Sequence, residues 1–361
     1  MFAVMHHLRL RSYASRILRL ASTVACIPAV ALAVKHAAAQ DTPLLSGGVG
    51  LFTSTYGGGT SYQPHIEPLL AAPIGKSFLI ESRGIILEEF SPNGNGESGY
   101  SHSHFADLIY LQGDYVASPH LTIAGGSFLL PFNTYNDRLS PIWIGNFQDG
   151  PLIAGLGTMG SGTGVGGMVS GSAVSSTKYS ISYNAWFSAR SGNFYFNSQR
   201  SSGGRVYLYL PGSRLEIGAS YDRRLQSTEE NFVGAHLWWE PKDTGFRFRS
   251  DYARDPQEQG YWIEADYRTL AFGGPDRWTG RFEPVFRMQQ TSTNNIRANN
   301  GSLGVNTLHA DFGLDYNLPH NTRVLTSYTR QASNSSSGNV NIWETGIVYR
   351  FLFPAWKGKA D

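Results

Sequence analysis

The stretch Asn306 to Leu318 reads Asn-Thr-Leu-His-Ala-Asp-Phe-Gly-Leu-Asp-Tyr-Asn-Leu and separates into two faces at a period of two. Leu308, Ala310, Phe312, Leu314, Tyr316 and Leu318 fall on one side; His309, Asp311, Gly313, Asp315 and Asn317 fall on the other. Alternation of this kind is a β-strand lying between an apolar phase and water. Working outward, the same alternation recurs along most of the chain with aromatics at its margins. Residues 178–188 put Tyr179, Ile181, Tyr183, Ala185 and Phe187 opposite Ser180, Ser182, Asn184 and Trp186. Residues 339–353 put Trp343, Thr345, Ile347, Tyr349, Phe351 and Phe353 opposite Ile342, Glu344, Gly346, Val348, Arg350 and Leu352. A transmembrane antiparallel β-barrel has this pattern, with apolar side chains toward lipid and polar ones toward a wet lumen.

Short turns and longer polar connections alternate between these segments, as in an up-and-down barrel with tight turns at one rim and loops at the other. Sixteen strands account for the chain. The weakest are residues 47–56 at the start, 62–70 with Pro64 and Pro68, and 162–172 in a glycine-rich run; misreading that run would leave fourteen. Two further expected strands, 261–272 and 278–289, pair across Gly273-Gly274-Pro275-Asp276. An even count returns both ends to the turn side.

Residues 1–39 are expected to stand outside this fold as a signal peptide. Arg9, Arg11, Arg16 and Arg19 precede an apolar run from Leu20 to Val34, and Ala37-Ala38-Ala39 supplies a cleavage site. The run is shorter than the ~20 residues of a membrane-spanning helix. Five bases leave with this leader, so 24 bases remain against 27 acids, a net charge of −3. That balance gives a nucleic-acid partner no support. The one cysteine, Cys26, lies in the leader, so no disulfide is expected after cleavage. The domain reading is therefore 1–39 signal peptide, 40–353 barrel and 354–361 a C-terminal tail at the turn side.

Two sets of residues carry the functional expectation. On neighbouring strands the lumenal face holds Arg247, Arg249, Glu264, Asp266, Arg268, Arg281, Glu283, Arg287, Asp311 and Asp315. Opposed rows of charge set a transverse field that filters ions, whereas mutual pairing would merely keep the wall satisfied. Arg247, Arg249, Arg281 and Arg287 are the expected anion contacts, since guanidinium forks match carboxylate and phosphate. The second set is the connection 132–151, too apolar at Pro141, Ile142, Trp143, Ile144 and Phe147 for a solvated loop, with Asp137, Arg138 and Asp149 available to line an opening. Its alternatives are folding into the barrel, or packing over the rim or against another protomer.

No catalytic, metal or cofactor site is expected. Gly162-x-Gly164-x-x-Gly167 spells a dinucleotide fingerprint, but no helical pattern follows it. His102-x-His104 stands in a polar loop without an evident set of carboxylates. No Gly-x-Ser-x-Gly occurs, so a hydrolase would need His309 or His236 to meet a serine in space.

Residues 123–152, with Gly126-x-Phe128, Pro131-Phe132 and Tyr135-Asn136-x-Arg138, resemble a segment of Gram-negative outer-membrane porins. They are most similar to the superfamily holding the phosphate-selective porins O and P. The resemblance covers about thirty residues. It implies an outer-membrane channel for passive diffusion of small hydrophilic solutes or ions, a third outward loop that narrows the pore, and a homotrimer in outer-membrane lipid; separately, the aromatic-ended closing strand resembles the signal that the barrel-assembly machinery reads. A lumenal ladder of lysines would accompany phosphate selectivity. Here Lys76, Lys178 and Lys242 lie in expected turns and Lys357 and Lys359 in the tail, so the finer expectation is a weak anion preference. The alternatives are a loop-plugged structural or adhesion barrel and a barrel-embedded hydrolase.

Overall fold

The computed structural model describes residues 42–93, 98–155, 162–192, 197–226, 229–274, 277–293, 305–335 and 338–354. The expected leader and residues 355–361 of the tail lie outside them. Eighteen strands are formed, β1 Leu44–Tyr56, β2 Gly59–Ile74, β3 Phe78–Pro92, β4 Tyr100–Ser118, β5 Leu121–Leu129, β6 Thr163–Ser175, β7 Ser180–Ala189, β8 Ser191–Gly192, β9 Asn197–Ser198, β10 Ser201–Leu210, β11 Leu215–Arg224, β12 Asn231–Trp239, β13 Phe246–Arg254, β14 Glu258–Tyr267, β15 Phe282–Thr293, β16 Asn306–Leu318, β17 Thr322–Ser333 and β18 Val340–Pro354. All but β8 and β9 form a closed sixteen-stranded antiparallel barrel in which each strand pairs with its sequence neighbours and β1 closes on β18.

Every expected strand has its counterpart, the weak first strand and the glycine-rich β6 included. Three departures have local causes. The connection after β7 carries the small β8–β9 ladder, too short to show a period. Strand β14 ends at Tyr267 instead of reaching residue 272, because Leu270–Gly273 form a helical turn. Strand β15 begins at Phe282, because Trp278–Arg281 wind into a 3-10 turn. Aromatic and apolar residues there mimicked strand alternation, although no ladder partner follows.

The outer face is apolar: Leu51, Val206, Phe312, Trp343 and Ile347 are all exposed on it. The packed core is inside the barrel. One cluster joins Phe132, Leu139 and Ile153 to Phe232, Ala253 and Trp262 of the wall. A second joins Phe52, Leu325 and Val348, with Ile142 and Trp143 against them. An interior that side chains alone would leave open at this strand number is thus partly filled by residues of one connection, the one between β5 and β6.

Candidate functional site

Residues 130–155 leave β5 at the loop end and turn into the barrel. Two wall glycines make the entry possible. A Cβ on Gly234 would lie 2.2 Å from Asn133 Oδ1, and one on Gly48 would lie 2.8 Å from Trp143 Cε3. Asn133 itself has φ 57°, a left-handed conformation that asparagine tolerates better than most residues. Its backbone N–H donates to Ser220 Oγ (3.0 Å) and its side-chain amide to the Tyr252 carbonyl (2.9 Å). Thr134 Oγ1 donates to Asp251 Oδ1 (2.9 Å), and the Trp262 indole donates to Asp251 Oδ2 (3.2 Å). Asp251 is buried, so these donors supply part of what water would have supplied.

From this base the connection runs through a π-helical turn, Tyr135–Leu139, and crosses the lumen. Arg205 of β10 holds Asp137 bidentately, through Nη1 (3.2 Å) and Nη2 (2.8 Å), and also binds the Asn133 carbonyl. Arg138 pairs with Glu216 of β11 (2.7 Å) and lies over the rings of Tyr207 and Trp238. On the opposite wall Arg83 Nη2 donates to Ser140 Oγ (2.9 Å), and the Ile142 N–H donates to Glu67 (3.2 Å). Asn146 then donates to both Glu264 (3.1 Å) and Asp266 (3.2 Å). Phe147 takes the Arg287 guanidinium at 4.3 Å from its ring centre, and Arg287 Nη1 donates to the Asp149 carbonyl (3.0 Å). The segment therefore touches walls on both sides of the barrel.

The charge band expected on β13 to β16 comes together on one wall. Arg247 pairs with Asp266 (2.6 Å) and Glu283, and Arg249 with Glu264 and Asp266 (3.2 Å). Arg268 reaches Glu283 (3.3 Å), and Arg287 pairs with Asp311 (2.8 Å). Asp315 lies 3.6 Å from Arg323. Of these only Arg268 keeps a largely exposed side chain; Arg249, Arg287, Asp311 and Asp315 are buried beneath the inserted segment. Two positions differ from expectation. Arg268 follows the end of β14, and Arg281 belongs to the 3-10 turn before β15, so neither sits on a strand. Within the inserted segment Trp143 packs in an apolar cluster, Phe147 is buried, and Asp149 is exposed at the inner edge.

Several participants were not singled out by the sequence: Glu67, Arg83, Arg205, Glu216, Asp251 and Arg323. Glu67 sits between two prolines, and Arg323 precedes the first clear alternation of its strand. Arg205 and Glu216 do fall on polar faces of their strands, which is the one clue a sequence offers. His102 and His104 stand on β4 rather than in the expected loop, and they meet Glu88 of β3 at 2.6 and 2.5 Å, a cross-strand meeting that spacing along one strand does not reveal. Among the described residues no group of metal-ligating side chains is disposed to hold a metal ion.

Two volumes summarise the interior. Between the inserted segment and the β13–β15 wall, lined by Tyr135, Asn146, Phe147, Arg249, Glu264 and Arg287, about 10 Å³ remains. That is space for about one water. Below the segment, at the turn end, a cavity of about 710 Å³ opens between Trp143 and Ile144 above and residues 317–323 below. Five arginines line it, Arg247, Arg268, Arg281, Arg323 and Arg350, with Glu283 as the carboxylate among its walls.

This barrel has solved counterparts. OmpF of Salmonella typhi, in complex with daunomycin, superposes with a TM-score of 0.58 at 12% identity, over 86% of this chain and 97% of that one. The fold is that of the sixteen-stranded porins. OmpT of Vibrio cholerae, as a loop L8 deletion mutant, gives 0.56 at 10% identity over 86% and 99% of the two chains. A BenF-like porin from Pseudomonas fluorescens gives 0.51 at 11% over 87% and 99%. No family model and no curated protein sequence matches the chain. At these identities the porin likeness concerns architecture alone.

Proposed function

We propose that the chain is an outer-membrane porin that passes small hydrophilic solutes or ions by diffusion, with no catalytic step. The observation that carries this is the combination of a closed sixteen-stranded wall, apolar outside and charged inside, with a cavity of about 710 Å³ in the lumen. A barrel this wide retains an aqueous interior unless something is placed in it. The residues 132–151 are the constriction in this reading, and Asp149, exposed at their inner edge, is a residue that passing solutes meet. Asp137, Arg138, Trp143 and Phe147 hold the constriction in place.

A weak anion preference belongs to the same reading. The turn-end cavity presents five arginines, of which Arg247, Arg268 and Arg323 are paired with Asp266, Glu283 and Asp315; five arginines against these three carboxylates leave the mouth net positive, which raises the local concentration of anions. The placing near the phosphate-selective O and P porins rests on residues 123–152 alone. The trimer rests on that resemblance and on a bare outer patch where Gly125 pairs with Gly167 across β5 and β6. Cross-linking in membranes that yielded only monomer would remove it.

One observation favours a second reading, a barrel plugged by its own connection: the near-complete filling beneath residues 145–149. Planar-bilayer recording in a salt gradient separates the two. Stable open steps are expected, with a reversal potential of the sign for anions. Silence from a barrel that migrates as folded on a semi-native gel would transfer the assignment to the plugged form.

A further inference from the structure

The His102-x-His104 pair has no carboxylate among its immediate neighbours in sequence, and the closed sheet supplies one. Side chains alternate along β4, so the two histidines share a face on either side of Ser103. Across the ladder, Glu88 of β3 lies opposite His104, and Phe90 lies opposite His102. His102 Nε2 meets Glu88 Oε2 at 2.6 Å, and His104 Nδ1 meets Glu88 Oε1 at 2.5 Å. The Phe90 ring stacks on that of His102, with centroids 4.7 Å apart and planes 17° from parallel. Two imidazoles thus clasp one carboxylate, and a phenyl ring orients one of them.

The three groups are open to water: the side chains of His102, His104 and Glu88 are 52%, 45% and 32% exposed. Strand β3 has 15 residues and β4 has 19. A membrane-spanning strand needs only about 9–11. Counted from the turn end at Phe78, residues 78–88 use up that length, so Glu88 and the histidines stand at or beyond the outer margin of the apolar band. The other close histidine–carboxylate contacts are of a different kind. His65 meets Glu67, and His236 meets Glu216, each as one imidazole largely withdrawn from water. Only the β3–β4 hairpin, among the described residues, brings two exposed imidazoles to one carboxylate.

We propose that Glu88, His102 and His104 bind a divalent transition metal of the Zn2+ or Cu2+ kind at the loop end of the β3–β4 hairpin. Imidazole nitrogens select such ions, whereas Mg2+ and Ca2+ prefer oxygen ligands alone. As they stand, the two nitrogens flank the carboxylate and do not converge on one centre. The change required is small. Bonds of about 2.0–2.2 Å around a tetrahedral ion set nitrogen and oxygen about 3.3 Å apart, so each contact opens by less than ~1 Å. Each imidazole proton that now points at Glu88 moves through solvent to the other ring nitrogen, and the lone pair it leaves takes the ion. Three protein ligands leave a fourth position for water. The ion then ties β3 to β4 outside the membrane.

The test titrates the whole protein, folded in detergent, with Zn2+, Cu2+ and Mg2+ in turn. One Zn2+ is expected to bind saturably, at least a hundredfold more tightly than Mg2+. His102→Gln, His104→Gln and Glu88→Gln should each weaken Zn2+ at least tenfold while keeping heat-modifiable migration. His120→Gln, at a turn-end histidine that donates to the Ser172 carbonyl at 2.6 Å, should bind as the parent does. With Cu2+ bound, electron paramagnetic resonance should show coupling to two nitrogens in the parent and to one in either histidine variant. Absence of saturable Zn2+ binding, or parental affinity in a folded H102Q/H104Q variant, overturns the inference. So does Mg2+ binding as tight as that of Zn2+. No pore current enters these readouts, so failure here leaves the channel reading untouched.

Discussion

The interior has two regions of opposite character a few residues apart. Beneath Asn146 and Phe147 the inserted segment is fitted to the wall with about 10 Å³ to spare, and charges there pair with each other. At the turn end the arginines face an open volume of about 710 Å³. The same residue type is therefore put to two uses. Arg249 and Arg287 are buried and paired, which orients a loop; Arg268 and Arg350 are exposed, where the proposed channel would set their charge against passing ions. Burial decides the use, because a desolvated guanidinium must be fully partnered, whereas a hydrated one can act on mobile ions.

The largest effect expected comes from removing the difference. Deleting residues 135–148 should raise single-channel conductance about threefold or more, since the wall of a sixteen-stranded barrel alone leaves a wide aqueous lumen. Unchanged conductance in a folded deletion would show that the segment does not set the aperture. A smaller disturbance is Gly234→Val, which places a side chain where Asn133 now sits. It should loosen the base of the segment and produce noisy, larger openings; quiet openings of parental size would mean that other anchors suffice. Arg205→Gln removes the bidentate grip on Asp137 and should cost about 3 kcal/mol in urea unfolding from lipid vesicles, the low end of the range for breaking a buried pair, since Asp137 keeps part of its side chain exposed. The smallest effect belongs to the open region. R268Q/R350Q should shift the reversal potential toward cations with little change in conductance. An unmoved potential would take these arginines out of the selectivity path.

How much of this was legible in the sequence follows the range of each interaction. The barrel was legible because period two is local: Asn306–Leu318 announces both its faces without reference to any other strand. The boundary at Tyr267 was not, because Leu270–Gly273 are apolar enough to extend the alternation and only the missing ladder partner ends it. The apolar content of residues 141–147 favoured a buried position for that connection. Its partners were illegible. Arg205 and Asp137 are 68 residues apart, and Thr134 and Asp251 117 apart, so only the closed barrel brings them together.

The seam between β1 and β18 pairs Leu44 with Pro354 and Thr55 with Trp343, joining the two ends of the described chain. Loop-closure entropy makes such a distant pairing slow to nucleate. The inserted segment adds to this, because Ile142 and Trp143 pack on Phe52 of the first strand and Val348 of the last. Its docking and the closing of the seam therefore share residues. Until then β1 and β18 present unpaired edges, each a template for wrong partners. The β1–β18 seam thus raises the contact order of this fold, and its two edges are the ones a wrong partner could take before they meet.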